Sequence, residues 1–192
     1  MLYDLEFVCI GNNGRSPIAA AIAKKFLFET GISDKVRITS SGTLVDVMKK
    51  SPDSKRISYL SQFLEIAIDQ GILTTADSEV LRLNHEVLLQ KLLDYEKSNR
   101  DSYLNSLGLN WIQDPLQTDL RDDSEIIFAI SNRVLSHVRR IYANRPTLIY
   151  ELGDYVNTPY IFDSTWILTT SEFFELANRL HETTLITLKK LF

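Results

Sequence analysis

Cys9 and Arg15 are the residues of this sequence whose types and spacing can do chemistry together. They bracket the stretch CIGNNGR, which runs directly into Ser16 and Pro17. A turn of that length can aim successive backbone N–H groups inward as a concave nest for a tetrahedral dianion, and a helix starting after it adds its positive end. A thiol at the mouth of such a nest is favoured as the thiolate, the form that attacks phosphorus. Arg15 offers a planar fork matched to two phosphate oxygens while charge redistributes in an in-line displacement, which a lysine does not reproduce. Ser16 is placed to cap the helix and to donate its hydroxyl to the Cys9 sulfur as that sulfur leaves. Gly11 and Gly14 read as positions whose backbone angles a side chain would forbid. Asn12 and Asn13 tolerate left-handed angles and can lock the loop through side-chain hydrogen bonds. The expected phosphate-binding set is therefore Ile10, Gly11, Asn12, Asn13, Gly14, Arg15 and Ser16, and the chemistry it implies is hydrolysis of a phosphate monoester through a covalent phosphocysteine.

Composition narrows the partners. The chain has 192 residues, 44% hydrophobic and 24% charged, which suits one α/β domain with its own core. A net charge of -4 argues against nucleic acid, so a bound phosphate must be held by local groups. Cys9 is the only cysteine, which excludes an intramolecular disulfide and leaves it to act as a thiol or thiolate. His85, His137 and His181 are scattered through segments of helical periodicity, so no metal and no cofactor are expected. No apolar stretch reaches the roughly 18 residues that span a bilayer, and no basic leader precedes the first strand. The expectation is a cytoplasmic protein with no membrane partner.

These residues need elements to position them. Leu5 to Ile10 reads as a buried strand, and Ile18, Ala21, Ile22 and Phe26 recur at helical spacing, with Ser16 as N-cap, Pro17 at the first helical position and Gly31 past the end. Val36 to Ser40 reads as a second strand, completing a βαβ unit. A second helix follows Pro52 and Asp53, with Ile57, Leu60, Phe63, Leu64 and Ile68 on one face and Gly71 as its stop. Glu125 to Ile130 and Thr147 to Leu152 read as strands, separated by a helix from Asn132 to about Tyr142. Thr170 to Leu191 reads as a long amphipathic helix. The expected architecture is an open, mainly four-stranded parallel sheet with helices on both faces, within one domain over 1–192. Residues 78–123 break the rhythm: a helix through Leu81, Val87, Leu88 and Leu92 gives way to the polar run YEKSNRDSYLNS and the acidic DLRDD. They are read as an inserted helical lobe, or equally as a surface excursion without a role. Leu107, Leu109 and Trp111 within it are either a contact for another chain or packed onto the sheet, and the oligomeric state is open.

The segment VCIGNNGRSPIAAAIAKKF resembles the N-terminal active-site segment of the low-molecular-weight protein tyrosine phosphatases. TSSGT, Thr39 to Thr43, resembles that family's turn after the second strand, and IIFAISNRV its third strand and following turn. The resemblance covers roughly residues 3–77 and 125–192 and implies a phosphotyrosine-phosphatase-like fold in which Ser40 joins Asn12 and Ser16 in supporting the loop. It also implies a general acid late in the chain. In YIFDSTWILTTSEFF that acid is Asp163, with Asp154 as the fallback, and Ile10 and Trp166 are the walls of the substrate pocket. Such an acid protonates the leaving oxygen and then deprotonates the attacking water. The chain departs from the family at Ser164, where a proline is usual, at Thr165, where an aromatic is usual, at Gly14, where a second cysteine is common, at Ala76-Asp77 and at Ser131.

The expected substrate is a phosphorylated protein or a small aryl phosphate. The competing expectation is a phosphate- or phosphopeptide-binding module with weak or no turnover. Thiol-linked arsenate reduction would need further cysteines, and dinucleotide binding would need a GxGxxG that is absent.

Overall fold

The computed structural model describes residues 3–43, 64–74, 76, 85–111, 120–158 and 169–192. Strand β1 (Tyr3–Cys9) leads through the Cys9–Arg15 loop into helix α1 (Arg15–Glu29), which stops at Gly31 with φ +71 before β2 (Val36–Gly42). Helix α2 (His85–Ser106) follows, then β3 (Ile126–Ala129), α3 (Asn132–Ile141), β4 (Leu148–Glu151), the single turn α4 (Leu152–Tyr155) and α5 (Thr170–Leu191). All strand pairs are parallel in the order β2-β1-β3-β4, which is the expected four-stranded sheet. Of the expected second helix, residues 64–69 are helical and Gly71 stops the turn at φ +69, while Pro52, Asp53, Ile57, Leu60 and Phe63 lie outside the described residues. Among the described residues no helix is long and apolar enough to cross a membrane.

The alternation of β1 divides the core. Leu5, Phe7 and Cys9 pack with α1 and α5 on one face, and Val8 packs with Ile127, Ala129 and the α3 residues Val134, Leu135 and Val138 on the other. Helix α1 is buried all round from Arg15 to Ala23, because it has the sheet on one side and α2 and α5 on the other. Ala19, Ala20 and Ala23 are wholly buried, and their small side chains permit that close packing.

The sequence expectation for 78–123 is revised in one respect: the polar run YEKSNRDSYLNS does not end the helix but forms most of it, to Ser106. Its N-terminal half packs Leu88, Leu92 and Leu93 against Leu64, Ala67 and Leu73. Its C-terminal half places Tyr103 and Leu104 in the main core. Between them Glu96, Asn99 and Arg100 are buried at 8%, 6% and 2% exposure. Helical periodicity in apolar residues fades there because the buried face is itself polar. Beyond Gly108, at φ +68, Leu107 and Leu109 pack against the core and Trp111 lies beneath Lys24, whose ammonium is 4.4 Å from the ring centroid.

The edge of β2 seats the Cys9–Arg15 loop. Thr43 N–H donates to the Cys9 carbonyl at 3.0 Å. A Cβ on Gly42 would stand 2.8 Å from Asn12 N, 2.8 Å from the Ile10 oxygen and 2.9 Å from Gly11 C, all backbone atoms that cannot rotate away. Below the loop, Glu6 is fully buried in β1 and accepts from the Ser41 and Ser124 hydroxyls and the Arg121 amide. Burial pushes its carboxyl up from the ordinary 4.5, with those donors pulling it back.

Two outcomes follow from this seating. Gly42→Ala forces backbone to move and is expected to destabilise the protein by about 1–3 kcal/mol, measured by urea unfolding. Because Glu6 holds its proton more tightly folded than unfolded, its contribution is favourable below about pH 4.5 and is lost as pH rises through the raised folded value. The melting temperature of wild type relative to Glu6→Gln should therefore fall as pH rises above about 4.5, and a constant difference would refute the assignment.

Candidate active site

Cys9 closes β1 and Arg15 opens α1, so the residues between them turn the chain from strand to helix at the carboxyl edge of the sheet. β1 has β2 on one side and β3 on the other, the switch point at which open α/β sheets hold ligands. Within the loop the left-handed residue is Asn12, at φ 52, as expected for asparagine. Gly14 is not left-handed; its φ of -110 and ψ of -73 are open to other residues. What keeps it a glycine is space, since a Cβ there would stand 2.6 Å from Glu96 Oε1 on α2.

The Ser16 hydroxyl lies 3.0 Å from Cys9 Sγ, 3.1 Å from Asn12 Oδ1 and 3.1 Å from the Ser41 carbonyl oxygen. It has one proton for three acceptors, so the three contacts share a single donor. The expected contact of the Ser16 hydroxyl with the Cys9 sulfur is present. The expected N-cap is not: α1 begins two residues earlier, and its N-cap is Gly14, which makes no side-chain capping bond. Ser16 is the second helical residue and Pro17 the third, because the serine hydroxyl is committed to the loop rather than to the helix N–H groups. The first N–H groups of a helix, with its dipole, are of the kind that bind anions.

The loop is buried from Gly11 to Arg15. Asn12 is 0%, Asn13 3% and Arg15 5% exposed, and Cys9 is a buried free thiol. Ile10 is half-buried and rests on the α3 side of the core. Ser40 is fully buried in β2, in register with Phe7, while the hydroxyl of Ser16 reaches β2 at the carbonyl of the next residue, Ser41. Asn13 does not tie the loop to itself. Its Nδ2 donates to the Leu93 carbonyl at 2.8 Å and to Glu96 Oε2 at 2.9 Å, both on α2.

Asp163, Ser164, Thr165 and Trp166 lie outside the described residues. Asp154 is exposed in α4, directly after β4, and its N–H donates to Glu151 Oε2 at 2.8 Å. Among the described residues no group of three or more His, Cys, Asp and Glu side chains comes together to hold a metal ion.

Reading the sequence did not single out Gly42, Glu96 or Arg100, all of which touch the loop. A signal for the last two was present. Glu96, Asn99 and Arg100 continue the helical stripe of Leu92, Leu93, Tyr103 and Leu104, so polar residues there occupy core positions and need polar partners.

Comparison with known proteins agrees with this geometry. The family model described as low molecular weight phosphotyrosine protein phosphatase matches residues 4–145. A low molecular weight phosphotyrosine protein phosphatase of Sus scrofa is 41% identical over 54 residues, which span 28% of this chain and about a third (34%) of that relative's length. Among solved structures, the drosophila arginine phosphatase DARP aligns with a TM-score of 0.62 at 19% identity, covering 97% of this chain and 96% of that one. Wzb of Vibrio vulnificus, in complex with benzylphosphonate, aligns with a TM-score of 0.62 at 10% identity, covering 99% of each chain. YwlE of Bacillus subtilis, in a mutant form, aligns with a TM-score of 0.60 at 16% identity over 98% of each. These structures share the fold, and the matched span is most of the chain: it belongs to the low molecular weight phosphotyrosine protein phosphatase family.

Proposed function

We propose that this protein hydrolyses phosphate monoesters through a phosphocysteine at Cys9. The observation that carries the reading is the Ser16 hydroxyl 3.0 Å from Cys9 Sγ, at a strand-to-helix turn whose helix opens on Arg15 without a side-chain cap. The Cys9 thiolate attacks phosphorus and the bond to the leaving oxygen breaks, with Asp163 giving that oxygen a proton. The amides of residues 10–15 and the Arg15 fork hold the equatorial oxygens while charge shifts. Water then attacks the phosphocysteine and loses a proton to Asp163. Sulfur departs as a thiolate that accepts from Ser16, and inorganic phosphate is released.

The substrate proposed is a phosphorylated protein or small aryl phosphate, with Ile10 and Trp166 as pocket walls. The drosophila relative is named for arginine phosphatase activity, so a phosphoguanidine is to be compared with the aryl ester. A lone cysteine that works as a thiol suits a reducing compartment, and we place the protein in the cytoplasm. A second reading, phosphate binding without turnover, is favoured by Ser164 and Thr165, which stand after Asp163 where the family usually has a proline and an aromatic.

Hydrolysis of 4-nitrophenyl phosphate separates the two. Turnover by wild type, lost by more than about 10³-fold in Cys9→Ser and in Arg15→Ala, supports the hydrolase. Tight vanadate binding with no release of nitrophenol supports the binding module. Asp163→Ala should slow alkyl phosphates far more than nitrophenyl phosphate, whose leaving group scarcely needs a proton. Equal losses on both would remove Asp163 from the role of acid.

A further inference from the structure

The polar middle of helix α2 grips the loop. Arg100 of α2 is 2% exposed, and its Nη1 donates to the Asn13 carbonyl at 2.9 Å. Its Nε and Nη2 are held by Asp101 Oδ1 at 2.8 and 2.7 Å. A guanidinium so far from water keeps its place only if its donors are used, and here one edge goes to a carboxylate and the other to loop backbone. A peptide unit is planar and trans, so the carbonyl of residue 13 and the N–H of residue 14 point in opposite directions. Drawing the Asn13 oxygen out toward α2 therefore turns the Gly14 N–H away from α2, toward the concave side of the loop.

Resting on the phosphatase reading above, we propose that Arg100 is a positioning residue of the phosphate loop: by holding the Asn13 carbonyl outward it aims the Gly14 N–H at the bound phosphoryl group.

Three further contacts bear on this. The Asn13 side chain is fixed by the same helix, through the Leu93 carbonyl and Glu96, so both the backbone and the amide of residue 13 are held on the stripe 93, 96 and 100. Gly14 permits the approach, since a side chain there would displace the Glu96 carboxylate. On a neighbouring stripe, Tyr95 Oη and Asn99 Oδ1 each lie 3.1 Å from Thr170 Oγ1, in the first turn of α5. Helix α2 thus ties the phosphate loop to the first turn of α5, which is fixed by the Thr169–Glu172 capping box. An N–H aimed in advance needs no reorganisation when charge develops, which is why its alignment affects rate more than ground-state binding.

The test compares Arg100→Gln and Arg100→Lys with wild type for kcat and KM on 4-nitrophenyl phosphate, for inhibition by vanadate and by inorganic phosphate, and for melting temperature. In Arg100→Gln, kcat is expected to fall about 10- to 100-fold and vanadate to bind more weakly by a similar factor, with KM and phosphate inhibition changing less than about 3-fold. Arg100→Lys, whose ammonium can still donate to the Asn13 carbonyl, should recover part of kcat and of vanadate affinity. A folded Arg100→Gln with wild-type kcat and vanadate affinity overturns the inference. If Arg100→Gln does not fold, Arg100→Lys decides alone: a fall in kcat matched by weaker vanadate binding supports positioning, and a lower melting temperature with both unchanged overturns it. Wild type that neither hydrolyses the ester nor binds vanadate overturns the phosphatase reading and this inference with it. Wild type that does both while the Arg100 variants match it overturns this inference alone.

Discussion

The Ser16 hydroxyl stands where three parts of the chain meet: the sulfur that ends β1, the left-handed Asn12 of the loop, and the backbone of β2. It is wholly buried, so each contact is made without competition from water. A single such bond contributes about 1 kcal/mol net, but a buried partner left without one costs about 1–3 kcal/mol. The rest of the site depends on that asymmetry. With the hydroxyl in place, β1, the loop and β2 are held in one arrangement and the first turn of α1 keeps its N–H groups for an anion.

Close packing of backbone on backbone enforces the same arrangement from below. Gly42 lets β2 lie directly against residues 10–12, and Thr43 extends the pairing to the Cys9 carbonyl. Steric exclusion and hydrogen bonding thus act on the same few residues from opposite sides. The buried Glu6 network beneath them links β1, β2 and the approach to β3 through Ser41, Arg121 and Ser124, so the strands that carry the loop share polar as well as apolar contacts.

Helix α2 adds a third layer behind the loop. Two apolar halves anchor it, one to residues 64–73 and one to the main core, and its polar middle meets the loop and the start of α5. The polar face keeps its place there through fixed partners: Glu96 and Arg100 meet Asn13 of the loop, and the Asn99 oxygen meets Thr170 of α5. The apolar ends supply the burial, while the polar centre supplies the geometry.

The strand-loop-helix unit around Cys9, the parallel sheet and the last helix were legible in the sequence. Their signals are local: runs of β-forming residues, apolar spacing of three and four, a glycine stop at Gly31, and the reach of CIGNNGR itself. Ser16 was legible as a partner of the sulfur but not as a residue barred from capping, since which acceptor takes one hydroxyl proton depends on where β2 lies. Glu96 and Arg100 were hidden because their partners are more than eighty residues away, and a polar stretch carries no mark of what it will touch. The sequence by itself determined the strand-loop-helix unit that carries Cys9 and Arg15 and the parallel fold that holds it. Only the tertiary structure decided which residues hold the loop in shape, because that choice rests on packing between distant segments rather than on spacing along one.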